Sequence, residues 1–234
     1  MNIVIPMAGA GSRFANAGIY TPKPLIEVEN KTLIEHSIKS FDVEGKFIFI
    51  TRDFGEPHNS SLSNLLKTLR PESVEIKINT VTGGAVESII AARDYIDNDE
   101  PLVVYNCDQK ILWDSQKVLD YIENYDPDSL LVLYKSVNPA NSFAEVSGRY
   151  VLRTVEKNPI SDNALIGFHY WCKGRDFCKS ADQLIKNYRE SGTPECYVSE
   201  TYNYLVRIID AYFIEDGVYI PLGTPEDLNK YENR

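Results

Sequence analysis

The chain has 234 residues, 34 acidic against 24 basic side chains for a formal charge of −10, 43% hydrophobic residues and four cysteines. At about 150 residues per domain, this is one large α/β domain with ample length for a core. No apolar run approaches the roughly 18 residues that cross a bilayer, and the start, Met1-Asn2-Ile3-Val4-Ile5, lacks a basic leader, so a cytoplasmic protein without a membrane partner is expected. The acidic balance argues against a nucleic-acid partner, because duplex binding rests on Lys/Arg neutralisation of phosphates. Cys107, Cys172, Cys178 and Cys196 have neither zinc-site spacing nor the density of a disulfide framework, and are expected as reduced thiols.

In chain order, Asn2 to Met7 is short, apolar and β-branched, then breaks at Ala8-Gly9-Ala10-Gly11, which predicts a buried strand feeding a turn. Further buried strands are predicted at Phe47–Thr51, Val74–Asn79, Leu102–Asn106 and Leu130–Lys135. Between them, Leu33, Ser37, Ile38 and Phe41 keep helical spacing, Leu62, Leu65, Leu66 and Leu69 form an apolar stripe, and Ala85 to Ile96 reads as one helix. Strands alternating with helices imply a mixed, mostly parallel Rossmann-like sheet flanked by helices.

After about Pro139 the pattern alternates: Phe143–Val146 and Tyr150–Glu156, joined at Ser147-Gly148, predict a hairpin. A strand at Leu165–Trp171, helices at Arg175–Glu190 and Ser199–Ile209, strands at Ala211–Glu215 and Val218–Ile220, and a helix after Thr224-Pro225 complete the reading. The expected organisation is one domain over 1–234, with an alternating strand and helix half at 1–138 and an appended hairpin and helical layer at 139–234.

Small residues after a first strand let backbone N–H groups approach a phosphate or a base, so Ala8, Gly9, Ala10, Gly11, Ser12 and Arg13 are candidate nucleotide contacts. A dinucleotide fingerprint is excluded: its third glycine is Phe14 here, and Pro22 and Pro24 break the long helix that unit needs. Lys23, between those prolines, is expected in a stiff, extended backbone that could place its charge on a triphosphate, or else is a surface lysine in a Pro-rich turn. Asp108 follows the strand Leu102–Asn106 and so reaches the carboxyl edge of the sheet, where Gly9–Arg13 also emerges. A carboxylate there can hold Mg²⁺ or cap a turn, and its place beside the glycine loop favours the metal.

Pro6–Phe14 with Pro22-Lys23-Pro24-Leu25-Ile26 resembles the signature of the sugar-phosphate nucleotidyltransferases, the nucleotide-diphosphate-sugar pyrophosphorylases and their cytidylyltransferase relatives. Thr82-Gly83-Gly84-Ala85 is similar to that family's base-contacting loop, Asn106-Cys107-Asp108 to its metal-binding aspartate, Glu156-Lys157 with Gly167-Phe168 to its acceptor site, and Gly223-Thr224-Pro225-Glu226-Asp227-Leu228 to its closing motif. The resemblance implies a GT-A-like fold and an Mg²⁺-dependent transfer from an NTP, with CTP or UTP/dTTP favoured, to a small phosphorylated metabolite used for surface polysaccharide. It implies Arg13, Lys23 and Asp108 as catalytic groups, Asp108 as metal ligand, Thr82, Gly83 and Gly84 at the nucleotide, and Glu156, Lys157, Gly167 and Glu200 at the acceptor. A homo-oligomer is compatible with such an enzyme.

One position departs from the family. Where many members carry a second metal-binding aspartate two residues before the closing Gly-Thr-Pro, this chain has Pro221, so Glu200, Asp216, or water and phosphates must complete the shell. A GT-A glycosyltransferase using a nucleotide-sugar, and a non-catalytic nucleotide-binding subunit, are the alternatives. His36, His58 and His169 have no ligand spacing and read as structural.

Overall fold

The structure, a computed structural model, describes every residue except Asp42, 192–194, Val206 and Arg234, and the side chain of Ser191. Strand β1 (Asn2–Pro6) leads through the glycine loop into a short helix, α1 (Ser12–Asn16), and a 3₁₀ turn at Lys23–Leu25. The two-residue strands β2 (Glu27–Val28) and β3 (Lys31–Thr32) pair antiparallel, and Thr32 caps α2 (Leu33–Lys39). Its hydroxyl accepts from Glu35 N at 3.3 Å while Glu35 Oε2 accepts from Thr32 N at 2.8 Å, a reciprocal cap worth about 1 kcal/mol. There follow β4 (Lys46–Arg52), α3 (His58–Leu69), β5 (Val74–Ile78), α4 (Ala85–Ile89), α5 (Arg93–Ile96), β6 (Leu102–Tyr105), β7 (Gln109–Leu112) and α6 (Gln116–Tyr125). β8 (Ser129–Lys135) closes the first half, and the second half supplies β9 (Ser142–Ser147), β10 (Tyr150–Glu156), β11 (Asn163–Trp171), α7 (Gly174–Ser191), α8 (Val198–Thr201), β12 (Ile209–Phe213), β13 (Val218–Pro221) and α9 (Pro225–Glu232).

Among the described residues the main sheet has nine strands in the order β5-β4-β1-β6-β11-β8-β12-β10-β9. Only β11 and β10 run against the others, so the sheet is mixed and mostly parallel in direction, as expected. Strand alternation sends Val4, Ile48, Ile50, Val104 and Leu131 to one face, under Ile89, Ile96 and Phe177. Ile3, Ile5, Phe47, Phe49 and Val103 face the other way, against Ile34, Leu62, Leu66 and Val118. Each such side chain contributes about 1.5–3 kcal/mol by burial. A third cluster of Phe14, Val28, Leu33, Ile220, Leu222, Leu228 and Tyr231 ties the glycine-loop helix to the C-terminal segment.

Two predicted helices are shorter than their patterns. Ala85–Ile96 is broken by a 3₁₀ turn at Ile90–Ala92, and Val86, Ile89 and Ala92, spaced by three, all reach the core through it. The predicted helix Ser199–Ile209 is α8 followed by a 3₁₀ turn at Tyr202–Tyr204, after which Leu205 is extended; Val206 lies outside the described residues. The side chain of Asn203 ends the helix by joining the sheet: Thr154 N donates to its Oδ1 and its Nδ2 donates to Thr154 O, both at 2.9 Å. Lys23 is not extended either. Leu25 N donates to Pro22 O at 2.8 Å and Ile26 N to Lys23 O at 3.2 Å, and burial of Pro24 holds the turn. The helix α6 is an addition to the predicted elements: Val118, Tyr121, Ile122 and Tyr125 keep helical spacing, and Leu119, Tyr121 and Ile122 pack against the core beside the fully buried Val118. All four cysteines are free thiols, and among the described residues no helix is long and apolar enough to cross a membrane.

Candidate active site

β1 and β6 are parallel neighbours, so the loops leaving their carboxyl ends emerge side by side. Between them and the β9–β10 hairpin lies a cleft of about 610 Å³. Its walls contain Ala8, Gly9, Ala10, Gly11, Ser12, Arg13, Lys23, Thr82, Gly83, Gly84, Asp108, Glu156, Lys157 and Gly167, every candidate from the sequence except Glu200 and Asp216.

One wall of the cleft is built from two loops. Gly11 turns the first with a positive φ of 66°, and its carbonyl accepts from Phe14 N at 3.0 Å and Ala15 N at 3.1 Å, while Phe14 is fully buried as the anchor. Arg13 stays exposed at the rim. In the second loop Thr82 Oγ1 donates to Gly84 O at 2.9 Å, Gly83 N to Glu87 Oε2 at 2.8 Å, and Cys196 N to Gly83 O at 2.9 Å. Gly84 has φ +150°, and a Cβ there would lie 2.5 Å from the backbone N and O of Cys196. The glycines are required because the segment around Cys196 closes directly onto the loop.

Lys23 Nζ forms a hydrogen-bonded ion pair with Asp108 Oδ2, both side chains about a quarter exposed. Burial opposes the lysine charge, but the Asp108 carboxylate outweighs it and the Lys23 pKa is raised. The neighbouring Cys107 thiol is pushed up to about 12, by burial first and then by Asp108, and stays protonated. Asp108 is fixed from behind, where its carbonyl accepts from Leu222 N at 2.9 Å. Gly223 leaves it room: a Cβ there would lie 2.9 Å from Asp108 Oδ2 and 3.9 Å from Asp227 Oδ2.

On the opposite wall, adjacent strand residues would face opposite ways. Lys157 escapes this by a left-handed φ of 53°, which ends β10 and lets both Glu156 and Lys157 line the cleft. Glu156 Oε2 accepts from Ser142 Oγ and, at 2.9 Å, from Ser199 Oγ. Lys157 Nζ donates to the Tyr197 hydroxyl, lies 4.2 Å from that ring's centroid and 3.9 Å from Glu195 Oε2. The Tyr197 hydroxyl is pushed well up, by burial first and then by Glu195 and Glu156, with Arg13 opposing from across the cleft. Gly167 lines the floor with its backbone occupied: its N–H donates to Gln109 Oε1 at 3.0 Å, and its carbonyl accepts from Gln109 Nε2 at 2.9 Å and Asn106 N at 3.0 Å. That side-chain pairing replaces regular strand pairing where the β11–β8 register breaks, between Leu165 and His169.

Glu200 is placed outside the cleft lining. Its carboxylate accepts from Tyr197 N at 3.3 Å and stabilises the first turn of α8, and burial raises its pKa. Asp216 is also elsewhere, largely exposed and 3.4 Å from Lys117. Neither can replace the aspartate missing at Pro221. A second carboxylate of the cleft, Asp227 of the closing motif, faces the same point, since a Cβ at Gly223 would lie near both it and Asp108, and Thr224 Oγ1 accepts its N–H in the first turn of α9. Asn138, Asn141, Ser142, Glu195, Tyr197 and Ser199 also line the cleft and carried no motif.

Among the described residues no three His, Cys, Asp or Glu side chains gather as a metal site. Mg²⁺ does not need such a cage, since it keeps several waters and is completed by one or two carboxylates and substrate phosphates. Asp108, now paired with an ammonium as stand-in cation, and Asp227 beside it fit that requirement.

The whole fold matches that of solved enzymes. A nucleoside-diphosphate-sugar pyrophosphorylase from Vibrio cholerae superposes with a TM-score of 0.82 at 24% identity, over 99% of this chain and 100% of that one. The fold is that of the sugar-phosphate nucleotidyltransferases. An inositol-1-phosphate CTP transferase from T. maritima shares it, with a TM-score of 0.75 and 16% identity over 99% of this chain and 93% of its own. A UDP-glucose pyrophosphorylase from Acinetobacter baumanii does so with a TM-score of 0.74 and 15% identity over 98% and 90%. In sequence, the chain is 28% identical over 167 residues to the 2-C-methyl-D-erythritol 4-phosphate cytidylyltransferase of Wigglesworthia glossinidia brevipalpis, covering 68% of this chain and 65% of that protein. The superfamily resemblance read from the motifs is thus supported by sequence and fold together. No protein-family model matches the chain.

Proposed function

We propose that the chain is a nucleotidyltransferase that joins an NTP to a small phosphorylated acceptor, such as a sugar phosphate, and releases pyrophosphate. The observation that carries this is one cleft lined by Arg13, Lys23 and Lys157, with Asp108 paired to Lys23 and Lys157 held at the Tyr197 hydroxyl. A glycine loop with two cations suits a triphosphate, and the single cation beside Glu156 suits a phosphate ester that also carries hydroxyls. CTP is favoured among pyrimidine nucleotides, because both the cytidylyltransferase relative and the T. maritima structure are named for it. A role in cytoplasmic synthesis of surface-polysaccharide precursors follows the family resemblance alone.

In the reaction an acceptor phosphate oxygen attacks the α-phosphorus, a new P–O bond forms, and the α–β bridge breaks to expel pyrophosphate. The nucleophile is already an anion, so the chain needs no general base and acts by positioning and charge. Lys157 and Glu156 orient the acceptor, and Arg13 and Lys23 stabilise charge on the triphosphate and on the leaving group. Asp108, with Asp227, would hold Mg²⁺, which supplies charge neutralisation between the reacting phosphates.

The test is pyrophosphate release with Mg²⁺, each of CTP, UTP, dTTP, ATP and GTP in turn, and pooled sugar, polyol and amino-acid phosphates. Release with one nucleotide and one pool is expected. Release of a nucleoside diphosphate from nucleotide-sugars instead would establish a glycosyltransferase. Nucleotide binding with no turnover in any pool would overturn the reaction in favour of a binding subunit.

A further inference from the structure

The Lys23–Asp108 pair has a consequence for how the site fills, and it rests on the proposed reaction. The backbone of Asp108 is held where its carbonyl accepts from Leu222 N–H at 2.9 Å, which keeps its carboxylate within reach of Lys23. Lys23 is anchored at its backbone, in a turn between Pro22 and the buried Pro24, while the torsions of its flexible stem leave the ammonium, 6.0 Å from the centroid of the Phe14 ring, able to follow another anion. One carboxylate oxygen thus carries an ammonium where a divalent cation would bind, and the two cations repel each other.

We propose that Lys23 is the resident counter-ion of Asp108, so that a divalent cation reaches Asp108 at full strength only when a triphosphate draws Lys23 away. Metal and nucleotide then bind cooperatively, and by linkage each raises the affinity of the other by the same factor. The arrangement keeps the buried carboxylate paired before substrate arrives, which avoids an isolated charge in a half-buried cleft. It also delivers Lys23 to the phosphates at the moment the metal takes its place.

The discriminating measurement is direct Mn²⁺ binding, by electron paramagnetic resonance of the free ion, to the whole chain without nucleotide. Lys23→Met should bind Mn²⁺ about tenfold more tightly than the wild type, and Lys23→Gln should reproduce the gain. Combining Lys23→Met with Asp108→Asn should remove it. Arg13→Met, which deletes a charge from the same cleft without freeing Asp108, should change Mn²⁺ affinity less than twofold. Thermal melts identify any variant that has not folded, and the two Lys23 substitutions guard against one failing. No gain in either folded Lys23 variant, an equal gain in Arg13→Met, or a gain that survives Asp108→Asn would each overturn the proposal. Pyrophosphate release by the wild type without a Lys23 gain would overturn only this coupling. A gain without any pyrophosphate release would overturn the transfer reaction and leave the ion-pair displacement standing.

Discussion

Gly84→Ala separates two physical costs at the junction between the nucleotide loop and the segment around Cys196. The glycine has φ +150° and ψ 178°, a region open essentially to glycine alone, and forcing alanine into it costs about 1–3 kcal/mol. The new Cβ would also lie 2.5 Å from Cys196 N and O, which are backbone atoms and cannot rotate aside. Moving them breaks the bonds from Cys196 N to Gly83 O at 2.9 Å and from Val86 N to Cys196 O at 3.3 Å, each worth about 0.5–1.5 kcal/mol net. The sum is about 2–6 kcal/mol, a large share of the 5–15 kcal/mol typical of a folded domain. Gly148→Ala is the control: its φ is +60°, nothing lies within 4 Å of the new Cβ, and only a left-handed penalty of about 1–2 kcal/mol applies. Guanidinium unfolding midpoints of the two variants and the wild type measure the difference. If Gly84→Ala is no less stable than Gly148→Ala, the closure of Cys196 onto the loop is not tight and the reasoning fails.

Other perturbations test the remaining walls of the cleft. Gly223→Ala should lower pyrophosphate release at least tenfold while costing less than about 1 kcal/mol of stability, because its Cβ meets the Asp108 carboxylate at 2.9 Å; steady-state turnover beside a thermal melt reads both. Lys157→Ala should raise the acceptor KM about tenfold and leave the NTP KM within twofold, and an equal rise in both would remove Lys157 from the acceptor side. Gly9→Ala should melt within about 0.5 kcal/mol of the wild type yet weaken NTP binding several-fold, as followed by calorimetric titration, since its Cβ would occupy open space in the cleft. His169 is 5% exposed, its Nδ1 lacks a partner, and burial lowers its pKa from 6.5 to about 3. The unfolded imidazole protonates first on acidification, so stability is full above about pH 6.5 and declines as pH falls toward 3; His169→Phe should flatten that decline between pH 7 and 4.5, and an unchanged slope in denaturant midpoints would contradict it.

Local features were legible in the sequence where a short window determined them. The β1 apolar run and the turn at Ser147-Gly148 are set by residues close together in the chain. The emergence of Asp108 beside the glycine loop was also readable, since parallel neighbouring strands expose their carboxyl ends together. What escaped depends on distant partners. The insertion of β11 between β6 and β8, the amide of Gln109 pairing with Gly167 58 residues away, and the side chain of Asn203 serving Thr154 leave no local trace. The same holds for Asp227: its motif was visible, but its nearness to Asp108 is created by Gly223, where the closing segment meets the β6 edge.

The glycines of the cleft divide into two physical groups that their motifs do not distinguish. Gly83 packs on Tyr188, Gly84 on the Cys196 backbone, Gly167 on the Asn106 side chain and Gly223 on Asp108, each closer than 3.0 Å to an added Cβ. All four contacts join a residue before position 138 to a residue after it. Gly9 alone among the cleft glycines named here has nothing within 4 Å, which leaves its missing side chain as space for a ligand. A glycine in a nucleotide-site motif is therefore explained at most of these positions by the closure of one protein segment onto another. The cleft keeps its shape because its two halves close onto these glycines, and in the proposed reaction the binding chemistry falls to Arg13, Lys23, Asp108, Glu156 and Lys157. On that division a substitution at Gly84, which meets backbone, disturbs stability and both substrates together, a substitution at Gly223, which meets the Asp108 carboxylate, disturbs turnover, and a substitution at Gly9 or Lys157 disturbs one substrate and spares the fold.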